Sequence, residues 1–332
     1  MSPMATTDAK MEYAAARRGA GLVDRRDHGV LEATGRDRAT FLNALLSNDV
    51  KSLAPGQGCA ATLLDVHGKV QVVLLVWVLD DRILLVTPPT TAASTLEALD
   101  RYLFSEKVEL RDASEEWALV LLTGPEVPSL VERLAGAAPE AQPWAHVAGR
   151  IDGVDVRLVR GGGETGEPEV WVAAPAAESE RLGKALTAAG AVALGGSAVE
   201  SLRIEAGAPR FPSDIGPAVL LPEVPFENLV SYTKGCYPGQ EVVVRIRDRG
   251  HVNRHLRGLV LEGDVVPPAG SEVVAGDAVI GAVTSAVRSF ALDRPIALAM
   301  VRRQHAEPGT AVGVRVGDRV VPAIVSALPF TR

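Results

Sequence analysis

The side chains best able to do chemistry crowd into one stretch, Tyr232-Thr-Lys-Gly-Cys-Tyr-Pro-Gly-Gln-Glu241. A lysine, a thiol, aromatic phenols, two glycines and an adjacent amide and carboxylate fall within ten residues. Cys236 stands two positions after Lys234, and a neighbouring ammonium favours thiolate and hence a redox or nucleophilic role. The same cysteine shielded from water would be a small inert hydrophobe. Spacing leaves both readings open. Between Lys234 and Arg257 there are six Lys/Arg and two acids, a net +4 inside a chain of net −7. Such a segment focuses potential on one anionic partner, or is a solvated helix face with local acid–base pairing.

Pro238 and Glu241 suit a helix first turn, whereas Val242-Val-Val244 pulls towards strand. The reading adopted is a short helix that places Arg245 and Arg249 on one face. A second candidate is Leu202-Arg-Ile-Glu-Ala-Gly207. The Glu205 carboxylate could accept, in a fork, from the 2-amino group and ring N–H of a heterocycle, or pair with an arginine. His251 and His255, four apart, lack a third ligand and give no metal site. The glycine-rich Arg160-Gly-Gly-Gly-Glu-Thr-Gly166 leads into a strand and not a helix N-terminus. It therefore reads as a hairpin loop and not a phosphate cradle.

The elements that must position these residues follow from periodicity. A helix is expected over 11–23, stopped by Gly19 and Gly21, then a strand from Val30. Helix 38–46 follows, with apolar positions 41, 42, 45 and 46 on one face. Strands are expected at 59–64, 70–79, 83–86, 108–110, 117–123, 154–159 and 170–173, with helices at 88–103, 130–136, 178–189 and 197–204. Residues 207–230 hold five prolines and must form a long loop. Short strands from 256 onward suggest a small antiparallel barrel. At 332 residues the chain suits two or three domains, and its charge argues against a protein devoted to nucleic acid. Met1 to Ala16 carries no apolar signal core and the run Val70 to Leu79 is too short to span a bilayer. The expected location is the cytoplasm.

With these residues in view, Lys234-Gly-Cys-Tyr-Pro-Gly-Gln-Glu241 resembles the K-G-C-Y-x-G-Q-E signature of the YgfZ family of folate-binding proteins. That family is linked to iron–sulfur cluster assembly or repair, is named in places as tRNA-modifying, and is related to the glycine cleavage T-protein, an aminomethyltransferase. Gly35-Arg-Asp-Arg-Ala-Thr-Phe-Leu42, Ser47-Asn-Asp-Val50, Leu202 to Gly207, Leu221-Pro-Glu223, Gly281 to Ser285 and Ile296 to Ala299 extend the resemblance along the chain. It implies an α+β fold of two intertwined folate-binding subdomains (about 1–52 with 115–255, and 53–114), followed by a barrel domain at 256–332, around a central channel. It also implies tetrahydrofolate or a derivative as cofactor, held by Glu205, Lys234, Tyr237, Gln240, Arg245 and Arg249. Cys236 would be the reactive channel residue, and iron–sulfur proteins or their assembly machinery would be the partners. One departure stands out. The aminomethyltransferases carry an aspartate pair after a glycine turn, where Gly68-Lys-Val-Gln-Val-Val73 has Val72 and Val73. Valine can neither take a proton nor stabilise a developing cation, so glycine cleavage is not expected. A one-carbon transferase acting on another amine and a non-catalytic protein- or RNA-docking module are the alternatives.

Overall fold

The computed structural model describes residues 9–331. The reading of Met1 to Ala16 thus falls partly outside the described residues. Two sheets lie face to face. The first has six strands, in the order Val192–Ala193, Gly21–Asp24, Trp117–Thr123, Glu169–Pro175, Val154–Arg160 and His146–Ile151. The second has five: Gly58–Leu64, Val70–Val78, Ile83–Thr87, Gly29–Thr34 and Glu109–Asp112. Strand residues alternate between faces. Leu119, Leu121, Val159 and Trp171 of the first sheet therefore meet Val30, Trp77, Leu84 and Val86 of the second. The outer faces are covered by helices: Val127–Ala135 and Ser179–Ala188 on one sheet, Arg38–Leu45 and Ala92–Asp100 on the other. Strand Val70–Val78 is buried along one face throughout, while the other passes from exposed Gln71 through half-buried Val73 and Leu75 to buried Trp77.

The chain crosses between the sheets at Arg25–His28, since Gly21–Asp24 lies in one sheet and Gly29–Thr34 in the other. This moves the expected subdomain division. Gly29–Thr34 pairs with Ile83–Thr87 and Glu109–Asp112, and Phe41, Leu42 and Leu45 share a core with Leu74 and Leu85. Residues 29–52 therefore belong with 53–114 and not with 115–255. Two other expectations shift. The first helix is Ala9–Arg18 and the chain turns to strand at Gly21, where a Cβ would lie 2.6 Å from Leu194. The strand His146–Ile151 went unread because it is a half-exposed edge with a glycine in it, pairing on one side only. No helix among the described residues is long and apolar enough to cross a membrane.

The third unit is a closed antiparallel barrel, in the order Arg254–Leu261, Arg294–Arg302, Ala278–Ser289, Glu272–Ala275, Ala311–Val316 and Arg319–Ser326. The barrel and the second sheet meet on one apolar cluster. It draws Leu64 and Val70 from the second sheet, Ile204 from the helix Gly196–Glu205, Val219 and Val224 from the proline-rich segment, Tyr237 and Val243 from the signature, and Ile296, Leu298 and Met300 from the barrel. Val73 packs against it from the strand.

Candidate functional site

The signature is held by three local devices. Lys234 Nζ donates to the carbonyls of Asn43 and Leu46, and to that of Asn48 at 3.2 Å. These carbonyls lie at and just past the C-terminal end of Arg38–Leu45, where such groups lack helical partners. The ammonium also sits 4.9 Å from the centre of the Tyr237 ring. Burial draws its pKa down to about 8, against the opposing pull of Asp49 and Cys59. Gly239 is left-handed (φ 78°) and a Cβ there would lie 2.5 Å from the Asp65 carbonyl. Only glycine lets this turn sit on the turn around Gly68. The helix Gln240–Arg249 follows, with Glu241 in its first turn and Arg247 and Arg249 in its last, as the helix dipole favours. Val243 buries inward.

These contacts change what the signature residues can do. The expectation that Lys234 holds a cofactor gives way to a structural role, because its three donors are spent on backbone carbonyls. Tyr237 is buried, its hydroxyl has no hydrogen-bond partner among the described residues, and burial raises its pKa to about 12. Gln240 is half-buried at the helix start and its backbone N–H donates to the Tyr237 carbonyl at 3.2 Å. Cys236 is exposed, so of its two readings the inert core residue is excluded. That part falls to Cys59, which is buried, with its thiol raised to about 12 by desolvation. Arg245 and Arg249 are exposed beside an open groove of about 510 Å³, together with His67, Leu220, Val242, Ile246 and His251.

Glu205 lies elsewhere, and the expected pterin fork does not fit it. One oxygen accepts from Tyr13 (2.6 Å) and Arg17 (2.7 Å), the other from Ser201 (2.8 Å), Ser289 (2.6 Å) and the Ala291 N–H (3.2 Å). The side chain is fully buried. Burial works to raise its pKa, but the hydrogen bonds from Ser289, Tyr13 and Arg17 hold it below the usual carboxylate range. Five donors saturate two oxygens. Of the two readings weighed from sequence, the arginine salt bridge is the one present, and it ties the first helix, helix Gly196–Glu205 and the barrel together.

A cluster that the sequence did not bring forward lies at the crossing between the sheets. Arg25 is buried over the Trp171 ring, 5.8 Å from its centre, and donates to Glu164 Oε1 at 2.6 Å. His28 meets the same ring edge-on at 5.5 Å. Glu164 stands in the loop between strands Val154–Arg160 and Glu169–Pro175, so the glycine-rich stretch is the hairpin loop expected of it. Buried Glu169 shapes that loop by accepting from the Gly163 and Thr165 N–H groups and the Thr165 hydroxyl. Arg17 joins the loop to the Glu205 junction by donating to Glu167 at 2.8 Å. Burial would raise the Glu164 pKa, but the charges of Arg25, His28 and Arg210 hold it low. Glu164 keeps 30% of its side chain exposed, and Arg25 Nε is a buried donor without a partner among the described residues. The glycines drew attention to this loop; its acids carried the better signal.

The hairpin after Gly68 supplies no carboxylate. Val72 buries into the core of the second sheet, and Val73 packs against the apolar cluster where that sheet, the signature and the barrel meet. Among the described residues no group of three or more His, Cys, Asp or Glu could hold a metal ion.

Residues 3–234 match the GCVT N-terminal domain, and residues 254–331 match the glycine cleavage T-protein C-terminal barrel domain. An aminomethyltransferase of Streptomyces avermitilis is 34% identical over 97% of this chain and 89% of its own length. One of Streptomyces coelicolor is 32% identical over 99% and 91%. In fold, the chain is similar to the crystal structure of glycine cleavage system aminomethyltransferase T from Bartonella henselae. The TM-score is 0.87 at 22% identity, covering 97% of this chain and 89% of that one.

Proposed function

The chain belongs to the glycine cleavage T-protein family, and within that family we propose that it binds tetrahydrofolate or a derivative without performing glycine cleavage, and serves iron–sulfur proteins in the YgfZ manner. The observation that carries the reading is Val73. Where the transferases place an acid, this chain turns a half-buried valine towards the junction, against the apolar cluster that includes Tyr237, Ile204 and Met300. A base is needed there for amine chemistry, and none arrives from this hairpin.

The crossing cluster fits a folate head group. Glu164 offers a carboxylate oxygen with no partner among the described residues, and Arg25 a buried N–H donor in the same state. A carboxylate accepts from the amino and ring N–H groups of a pterin, and a guanidinium donates to its carbonyl oxygen. Bound folate supplies a carrier for one-carbon units. In this reading Glu164 and Arg25 orient the ring, Glu169 keeps the loop in shape, and the Glu205 junction holds the helix behind it. Cys236, exposed beside the clamped Lys234, is the thiol open to a client protein.

A second reading, transfer of a one-carbon unit to another amine, is favoured by the names of the relatives at 34% and 32% identity. Titration calorimetry with tetrahydrofolate, followed by turnover of methylene-tetrahydrofolate with candidate amines, separates the two. Binding without turnover supports the proposal, binding with turnover supports the transferase, and no heat at millimolar ligand removes both. For the thiol, iron–sulfur enzyme activity is measured in cells lacking the protein. Restoration by wild type and not by Cys236→Ala is expected; equal restoration removes the role of Cys236.

A further inference from the structure

The groove beside the signature helix is a site that the folate head group does not use. Val242, Arg245, Ile246 and Arg249 follow one another at the spacing of a single helical face, and Leu220, His67 and His251 complete the lining. Its floor is aliphatic and half-buried, and its rim is cationic and exposed. Neither Arg245 nor Arg249 makes an ion pair or hydrogen bond with any described residue. Of the nearby acids, Asp248 pairs with Arg247 at 2.6 Å and Asp65 accepts from the His67 and Lys69 N–H groups at 2.9 Å, while exposed Glu241, one turn before Arg245, makes no ion pair with it. Two unpaired guanidinium groups in a chain of net −7 are not needed for solubility.

We propose that this groove docks an acidic amphipathic helix of a partner protein. Apolar residues of that helix seat on Val242, Ile246 and Leu220, and two carboxylates one turn apart meet Arg245 and Arg249. Four residues along a helix rise about 6 Å, so acids at i and i+4 on the partner match arginines at i and i+4 here. An apolar trough with charged edges is how proteins receive amphipathic helices. The alternatives fit less well. No Phe, Tyr or Trp lines the groove, and unpaired nucleic acid is held largely by stacking on large aromatic rings. A folate tail would satisfy the arginines but leave the aliphatic floor uncovered.

The test uses the full chain and a fluorescein-labelled 14-residue helical peptide of Leu, Ala and Glu, followed by fluorescence anisotropy. Saturable binding is expected, weakened at least tenfold by Arg245→Glu with Arg249→Glu and partly by Arg245→Gln with Arg249→Gln. Replacing the peptide leucines by serine is expected to weaken it at least fivefold. Both arginines are exposed, and circular dichroism melts confirm that each variant is folded. Binding unchanged by the charge reversals overturns the proposal. Tighter binding of an oligothymidylate of equal charge overturns it in favour of nucleic acid. Displacement of the peptide by pteroyltriglutamate, lost in the reversed variant, returns the groove to the folate tail.

Discussion

Glu205 and the pair Arg245 and Arg249 are both charged and both belong to stretches that stand out in the sequence, yet the fold treats them oppositely. Every lone pair of Glu205 is met, by Tyr13, Arg17, Ser201, Ser289 and the Ala291 N–H, with no exposure to water. The two arginines make no hydrogen bond or ion pair with the described residues and stand open beside an apolar floor. A saturated buried charge is scaffold, because it has no capacity left for a ligand. An unsaturated exposed charge adds little to folding and is free to recognise something else. Between these extremes lies Glu164, one oxygen held by Arg25 and a third of its side chain still open.

The largest expected effect breaks the scaffold side. Glu205→Ala leaves an arginine, three hydroxyls and a backbone N–H facing an empty position, and is expected to cost about 3–5 kcal/mol in urea unfolding. A loss under 1 kcal/mol would show that the junction is not structural. Lys234→Met comes next, with an expected loss of about 1–3 kcal/mol from three orphaned carbonyls, read by the same method. Glu164→Gln keeps an acceptor for buried Arg25 but loses the ion pair, so a stability loss of about 1 kcal/mol is expected together with tetrahydrofolate binding weakened about tenfold by calorimetry, the scale of one charge-assisted hydrogen bond. The smallest is Cys236→Ala, whose exposed side chain predicts a stability change within about 0.5 kcal/mol.

Acid sharpens the same contrast. The folded Glu205 pKa lies below its ordinary value, so its stabilisation is fully present above the unfolded value of about 4.3 and is lost as pH falls through the folded one. The stability difference between wild type and Glu205→Gln, measured by urea unfolding, should be flat above that pH and shrink below it. A difference that grows towards acid pH would place the shift in the opposite direction.

Most elements were legible because apolar periodicity is a local signal. Helix 38–45, the hairpin 58–78 and the six barrel strands all follow from it. The crossing at Arg25–His28 was not, since nothing local says which sheet a four-residue strand such as Gly21–Asp24 will join. The site was legible in its residue types and less so in their state of use. The signature and its two arginines stood out, but the spent donors of Lys234 and the saturated oxygens of Glu205 depend on partners up to 192 positions away. Arg25 and Glu164, 139 apart, meet only after the two sheets have stacked.

The central claim is that a folate-binding site persists here without the transferase acids, centred on Glu164 and Arg25. Calorimetric titration of tetrahydrofolate into wild type and into Glu164→Gln tests it most directly. The account predicts a saturable isotherm for wild type and about tenfold weaker binding for the variant. No heat from wild type at millimolar ligand, or identical isotherms for the two proteins, would contradict it.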